Sequence, residues 1–167
     1  MNNATLINQD SGNTEFYTPH DIINLVHEMF GVIDLDPASS SKANEYIKAT
    51  KFYTRFDDSL LKPWYGKVWM NHPFSRFNNS LFVDKLVREY KKGNVMEGLC
   101  ITYASTSEAW FRPLLEYPQC YIHGRTNYVL PNGEVKKGVT KGSVISYFGS
   151  NTVRFTNIFN KIGSIKI

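Results

Sequence analysis

The string Trp69-Met70-Asn71-His72-Pro73-Phe74 ends an apolar run in a side-chain amide, a Pro and an aromatic ring. Such a loop can do two jobs at once. The amide oxygen of Asn71 and the backbone carbonyl that follows it can both accept hydrogen bonds from one exocyclic amino group. The ring of Phe74 can stack on a planar base. An amine held in this way has its lone pair turned toward an electrophile. Asn is no base at neutral pH, so the polarisation comes from hydrogen bonding alone. A second string, Ile33-Asp34-Leu35-Asp36-Pro37-Ala38, sets two carboxylates at alternate positions of a short run that Pro37 closes. On a strand they share a side and suit a hydroxylated or cationic ligand, or Mg²⁺. A third string, Asp57-Asp58-Ser59-Leu60 ahead of Lys62-Pro63-Trp64, is a polar turn backed by an aromatic ring. It can meet the amino group and ring edge of a purine. Taken singly, each string also reads as an ordinary turn.

Other chemistries find no support. The four histidines form neither HExxH nor a Cys/His cluster, so no metal site is expected. Neither GxGxxG, GxxxxGK[ST] nor GxSxG occurs. Cys100 and Cys120 each sit in an apolar run and read as core residues of a reduced, cytoplasmic protein.

The elements that must position these loops follow from periodicity. Thr18-Pro19-His20-Asp21 reads as a helix start with Thr18 as N-cap and Pro19 in the first turn. Ile22, Val26 and Met29 repeat at helical spacing behind it, and Gly31 closes the helix. Residues 32–35 and 67–70 read as strands that end at the two motif loops. Residues 40–50 are polar and weakly helical. Residues 81–90 are amphipathic, with Gly93 as a C-terminal stop. Residues 98–102, 120–123, 144–148 and 164–167 read as further strands. Residues 107–115 read as helical despite Pro113, and residues 153–161 are ambiguous. Strands that alternate with helices imply an α/β layer fold with a mostly parallel sheet, whose ligands gather at the carboxyl ends of the strands.

Length and charge set the frame. The 167 residues, 42% hydrophobic and 14% aromatic, suffice for one globular domain over residues 15–167 with a flexible arm at 1–14. No apolar run is long enough to span a membrane, and the polar start lacks the layout of a signal peptide. The net charge of +4 is unevenly spread: residues 1–84 hold 7 basic and 10 acidic side chains, and residues 85–167 hold 12 and 5. The basic half includes Arg125 and a glycine-rich stretch at 127–142 with Lys136, Lys137 and Lys141. That stretch reads as a flexible hairpin able to meet phosphates.

The order of the strings is more specific than any one of them. Glu15-Phe16-Tyr17-Thr18-Pro19, then the Asp34/Asp36 string, then the Asp57/Asp58 string with Pro63-Trp64, then Val68 to Phe74, resembles the phage Dam-like DNA N6-adenine methyltransferase family. Downstream, residues 101–107 with Trp110-Phe111, Tyr121 to Arg125 and residues 143–149 continue the likeness, which covers roughly residues 15–163. The resemblance implies a Rossmann-like methyltransferase sheet, mostly parallel with an antiparallel C-terminal strand, and helices on both faces. It implies S-adenosylmethionine as cofactor and double-stranded DNA as partner, in a host cell's cytoplasm if phage-encoded. By the same likeness Tyr17, Thr18 and Pro19 line the methionine end of the cofactor. Asp34, Asp36, Pro37 and Ala38 touch its amino acid or ribose part, and Asp57 or Asp58 its adenosine end. Asn71, the carbonyl of His72, Pro73 and Phe74 hold a flipped adenine. The uneven charge, independently of the likeness, points to Arg125, Lys136, Lys137 and Lys141 as the contacts to DNA phosphates.

One position departs from the family pattern. Its usual string is Asn/Asp-Pro-Pro-Tyr/Phe, and here His72 replaces the first Pro. A His keeps the backbone carbonyl, and Pro73 still holds the preceding residue extended. What is expected is lost rigidity and a titratable ring beside the target amine. The competing reading is therefore a catalytically degenerate member of the fold that binds nucleic acid or a host protein.

Overall fold

Seven strands form one sheet in a computed structural model that describes residues 16–167. They are β1 (Leu35–Asp36), β2 (Lys51–Phe52), β3 (Gly66–Met70), β4 (Val95–Tyr103), β5 (Gln119–Ile122), β6 (Ser143–Phe148) and β7 (Gly163–Lys166), in the order β2-β1-β3-β4-β6-β5-β7. Pairings from β2 through β4 are parallel, and β6 runs antiparallel to both β4 and β5. β7 is antiparallel to β5 on the far edge. The expected α/β architecture is present. Two C-terminal strands, β6 and β7, run against the others rather than one. The predicted arm at residues 1–14 lies outside the described residues.

Alternation along the strands divides the core in two. Trp69, Leu99, Ile101, Ile145 and Tyr147 face one layer, and Val68, Met70, Cys100, Val144 and Phe148 face the other. The first layer is closed by α1 (His20–Phe30), α2 (Ser41–Ile47) and α4 (Thr152–Phe159). The second is closed by α3 (Arg76–Lys91) and a 3-10 helix (Ala109–Glu116). Helices thus cover both faces, which buries a parallel sheet on each side.

Several boundaries differ from expectation for local reasons. Thr18 does not cap α1. Pro19 occupies the N-cap without a side-chain bond, and the Thr18 hydroxyl accepts from Asn71 instead. Pro113 has no N–H to continue an α-helical ladder, and the segment expected to be helical winds as a 3-10 helix. The ambiguous segment is helical because Asn151 caps it, its Oδ1 accepting from Arg154 N. β2 has only two residues, one exposed and one half-buried, and carries no periodic signal in the sequence.

Because β1, β2 and β3 are parallel, the chain leaves all three at the same edge of the sheet. The segments that follow them are the three motif loops.

Candidate active site

Those loops enclose a cavity of about 280 Å³. Tyr17 and Thr18 contribute from before α1, Asp36, Pro37 and Ala38 from the end of β1, Asp57 and Asp58 from beyond β2, and Asn71, His72 and Pro73 from the end of β3. Ten of the expected site residues, separated by up to fifty-six positions in sequence, therefore share one wall. Ala43, Ile47, Leu60 and Phe82 supply apolar surface.

Asn71 is oriented by two long-range bonds. Its Nδ2 donates to the Phe16 carbonyl (2.7 Å) and to Thr18 Oγ1 (2.9 Å). A carbonyl can only accept, so the NH₂ end must face Phe16 and the amide cannot be turned over. Oδ1 is consequently buried with no partner among the described residues. An orphaned buried acceptor costs about 1–3 kcal/mol until something donates to it. Ser59 Oγ and His72 Nδ1 are in the same condition, and both residues line the same cavity. A ligand with several N–H and O–H groups fits this arrangement.

The two carboxylates of the β1 string have separate jobs. Asp34 does not line the cavity. Its Oδ2 accepts from Lys67 N (2.7 Å), where the β3–β4 register shifts between Gly66 and Lys67. A Cβ at Gly66 would lie 2.4 Å from that oxygen, so only glycine permits the approach, at φ 67. Asp36 is 1% exposed in the cavity wall, and the Ala38 N–H donates to its Oδ1 at 3.1 Å. Burial pushes its carboxyl up to about 7, against which the Ala38 bond works. The Mg²⁺ reading of a shared carboxylate pair is lost with this separation.

Beyond β2, Asp57 Oδ2 accepts from both the N–H (2.9 Å) and the hydroxyl (3.0 Å) of Thr54, which hold its pKa down. Asp57 builds the turn, and Asp58 is exposed at the cavity's rim. This loop is tied to α3 by Lys85, a residue that belongs to none of the motif strings. Its Nζ donates to the carbonyls of Leu60 (2.8 Å) and Lys62 (2.7 Å) and lies 5.4 Å from the centre of the Trp64 ring. The available signal is a lysine set among Phe82, Val83 and Leu86 on the apolar side of a helix.

Besides Asp34, two expected site residues stand elsewhere. Pro19 lines a separate hollow with Asp21, Arg125 and Thr126. Phe74 is only 3% exposed and is absent from the cavity lining. Its ring packs against Phe16, His72, Tyr103 and Tyr128, so it is not the open stacking platform expected. The apolar cluster captures it because Phe16, Tyr103 and Tyr128 converge behind the loop. His72 lines the cavity, but its ring is not the ionisable group expected beside the target amine. It is buried, and burial pulls its pKa down to about 4, so it is neutral at physiological pH.

The basic residues lie outside the cavity. The 127–142 stretch contains a small hairpin, with Val129 bridging both Val135 and Tyr17. Lys136 Nζ sits 4.1 Å from the Phe16 ring centre and Lys141 Nζ 5.4 Å from that of Tyr103. Both cations therefore border the aromatic cluster behind Asn71, while Lys137 and Arg125 are exposed.

The family model described as DNA N-6-adenine-methyltransferase (Dam) matches residues 8–159. The chain belongs to the Dam family. A comparison with curated proteins gives no match. Membership in the Dam family accords with the α/β sheet described above. Among the described residues of this Dam protein, no helix is long and apolar enough to cross a membrane.

Proposed function

We propose that the protein transfers a methyl group from S-adenosylmethionine to N6 of an adenine flipped out of double-stranded DNA. The observation that carries the reading is Asn71 Oδ1, a buried acceptor held in place by Phe16 and Thr18 and left without a partner, among the described residues, at a cavity wall. The bound cofactor supplies an electrophilic methyl carbon on a sulfonium. Tyr17, Thr18, Pro37 and Ala38 bind it with Asp36, whose ionised form suits the ammonium or the hydroxyls of such a ligand. Asp58 serves the adenosine end more readily than Asp57, whose carboxylate is taken up by Thr54. Asn71 Oδ1 and the His72 carbonyl accept from the two hydrogens of N6, which turns the nitrogen lone pair away from them. Stacked in a duplex, adenine cannot reach these groups, so the base must leave the helix. Phe74 backs the loop from within its aromatic cluster. Catalysis on this reading is mainly positioning of the amine for in-line attack.

The purified chain with methyl-tritiated S-adenosylmethionine is expected to label the adenine N6 of duplex DNA. Cofactor binding without label on any DNA would move the protein to the degenerate, binding-only reading.

Arg125, Lys136, Lys137 and Lys141 are proposed to meet phosphates. Their joint replacement by Gln should weaken binding to all duplex sequences. The slope of log affinity against log salt should fall by about 0.9 for each phosphate that is no longer neutralised. An unchanged slope would remove these four from the DNA interface.

A further inference from the structure

His72 is the one motif position where this chain departs from the pattern it resembles, and its side chain is unusually well held. It is 1% exposed. Its Nε2 lies 2.7 Å from Oδ1 of Asn79, itself only 8% exposed on the first turns of α3. The ring stacks on Phe82 of the same helix at 5.5 Å and 13° and meets Phe74 edge-on at 5.7 Å and 88°. With the Asn79 amide oxygen turned to the ring, Nε2 carries the proton and donates. Nδ1 is then an unprotonated acceptor, buried without a partner among the described residues in a residue that lines the cavity.

We propose that His72 and Asn79 form a positioning pair: the Nε2–H···Oδ1 bond ties the Asn71–Phe74 loop to α3 and so fixes the Asn71 amide and the His72 carbonyl. The pair replaces by a side-chain bond the stiffness that a proline ring would supply through the backbone. His72 is on this account a fitted residue, not a damaged one. Proline at this position would remove the His72 donor from Asn79 Oδ1 and the stacking partner of Phe82. The proposal rests on the reading that this loop holds the target amine.

The pair is tested first without turnover. Long-range ¹H–¹⁵N spectra of the full chain at neutral pH should show His72 neutral and protonated on Nε2. An imidazolium or an Nδ1–H tautomer would overturn the proposal. Kinetics then separate positioning from simple packing. His72→Ala and Asn79→Leu, which remove the bond and put no proline ring in its place, should each lower kcat by about tenfold or more while the affinity for S-adenosylmethionine changes by less than about twofold. The double variant His72→Pro/Asn79→Leu, in which a proline ring supplies the stiffness and no acceptor is left unpaired, should recover most of the loss. His72→Gln, which keeps a donor, should stay within about threefold of the parent. Single variants that methylate at the parental rate, or a double variant whose losses simply add, would overturn the pair. A parent chain that methylates no DNA would defeat the functional reading alone, and the tautomer measurement would still decide the pair.

Discussion

Asn71→Ala is expected to abolish methyl transfer to DNA while leaving S-adenosylmethionine binding nearly intact. The variant removes Oδ1, the acceptor that on the proposed reading polarises and aims the target amine. Removing one preorganised hydrogen-bonding group of this kind typically costs about 10²–10³ in kcat. Here the loss should reach the upper end, because Asn71 both orients the amine and selects it. The substitution also deletes the bonds to Phe16 O and Thr18 Oγ1. It leaves that carbonyl without its donor, at about 1–3 kcal/mol of stability. A melting curve therefore accompanies the assay, and labelling is measured well below the transition. Cofactor affinity, read by calorimetry, is the control that separates a lost amine site from a collapsed cavity. Label transfer by Asn71→Ala at the parental rate would show that the amine is held elsewhere.

Replacing Asp36 by Asn should make the protein more stable and a poorer cofactor binder, and the first effect should depend on pH. The carboxyl rises from 3.8 to about 7 on burial. Below about pH 4 the acid is neutral in folded and unfolded chains alike, and the favourable difference is fully present. As pH climbs toward 7 the unfolded chain ionises while the folded one keeps its proton, so stability falls. Above 7 the loss is complete. At about 1.4 kcal/mol per pKa unit the full span is on the order of 4 kcal/mol. The amide introduced by Asp36→Asn does not titrate and can still accept from the Ala38 N–H. The gain from the substitution should thus be near zero in acid and approach that figure at pH 8, as read by denaturant unfolding across the range. Over the same interval the parent's affinity for S-adenosylmethionine should rise between pH 6 and about 7.5, centred on the folded-state pKa, and the variant's should stay flat and weak. Equal cofactor affinity in parent and variant at both values would take Asp36 out of the binding site. A carboxylate kept in the wall at such a cost is what a binding role predicts.

The motif loops are legible in the sequence because each is local. Apolar runs closed by Asp36-Pro37 and by Asn71-His72-Pro73 announce strand ends within a few residues, and a parallel sheet sends all such ends to one edge. The amphipathic helices are legible for the same reason, since 3.6-residue periodicity needs no partner to be seen. Thr18 illustrates the boundary. Its sequence context is that of an N-cap, and its hydroxyl is claimed instead by an amide fifty-three residues away. Lys85 illustrates it from the other side: a lone cation on an apolar stripe gains its purpose only from two carbonyls of a loop folded against it.

By itself, then, the sequence determined which loops line the cavity, the α/β class of the scaffold and the likeness to DNA adenine methyltransferases. Only the tertiary structure decided what each side chain does within them. Asp36 rather than Asp34 faces the cavity because Gly66 lets the β3 backbone close on Asp34. Phe74 is buried because Phe16, Tyr103 and Tyr128 from separate segments meet behind it and His72 of its own loop closes on its edge. His72 is a neutral, clamped ring because Asn79 and Phe82 reach it from α3. In each case the deciding term is desolvation or a hydrogen bond between residues that only folding brings together. A string of residue types carries no record of either.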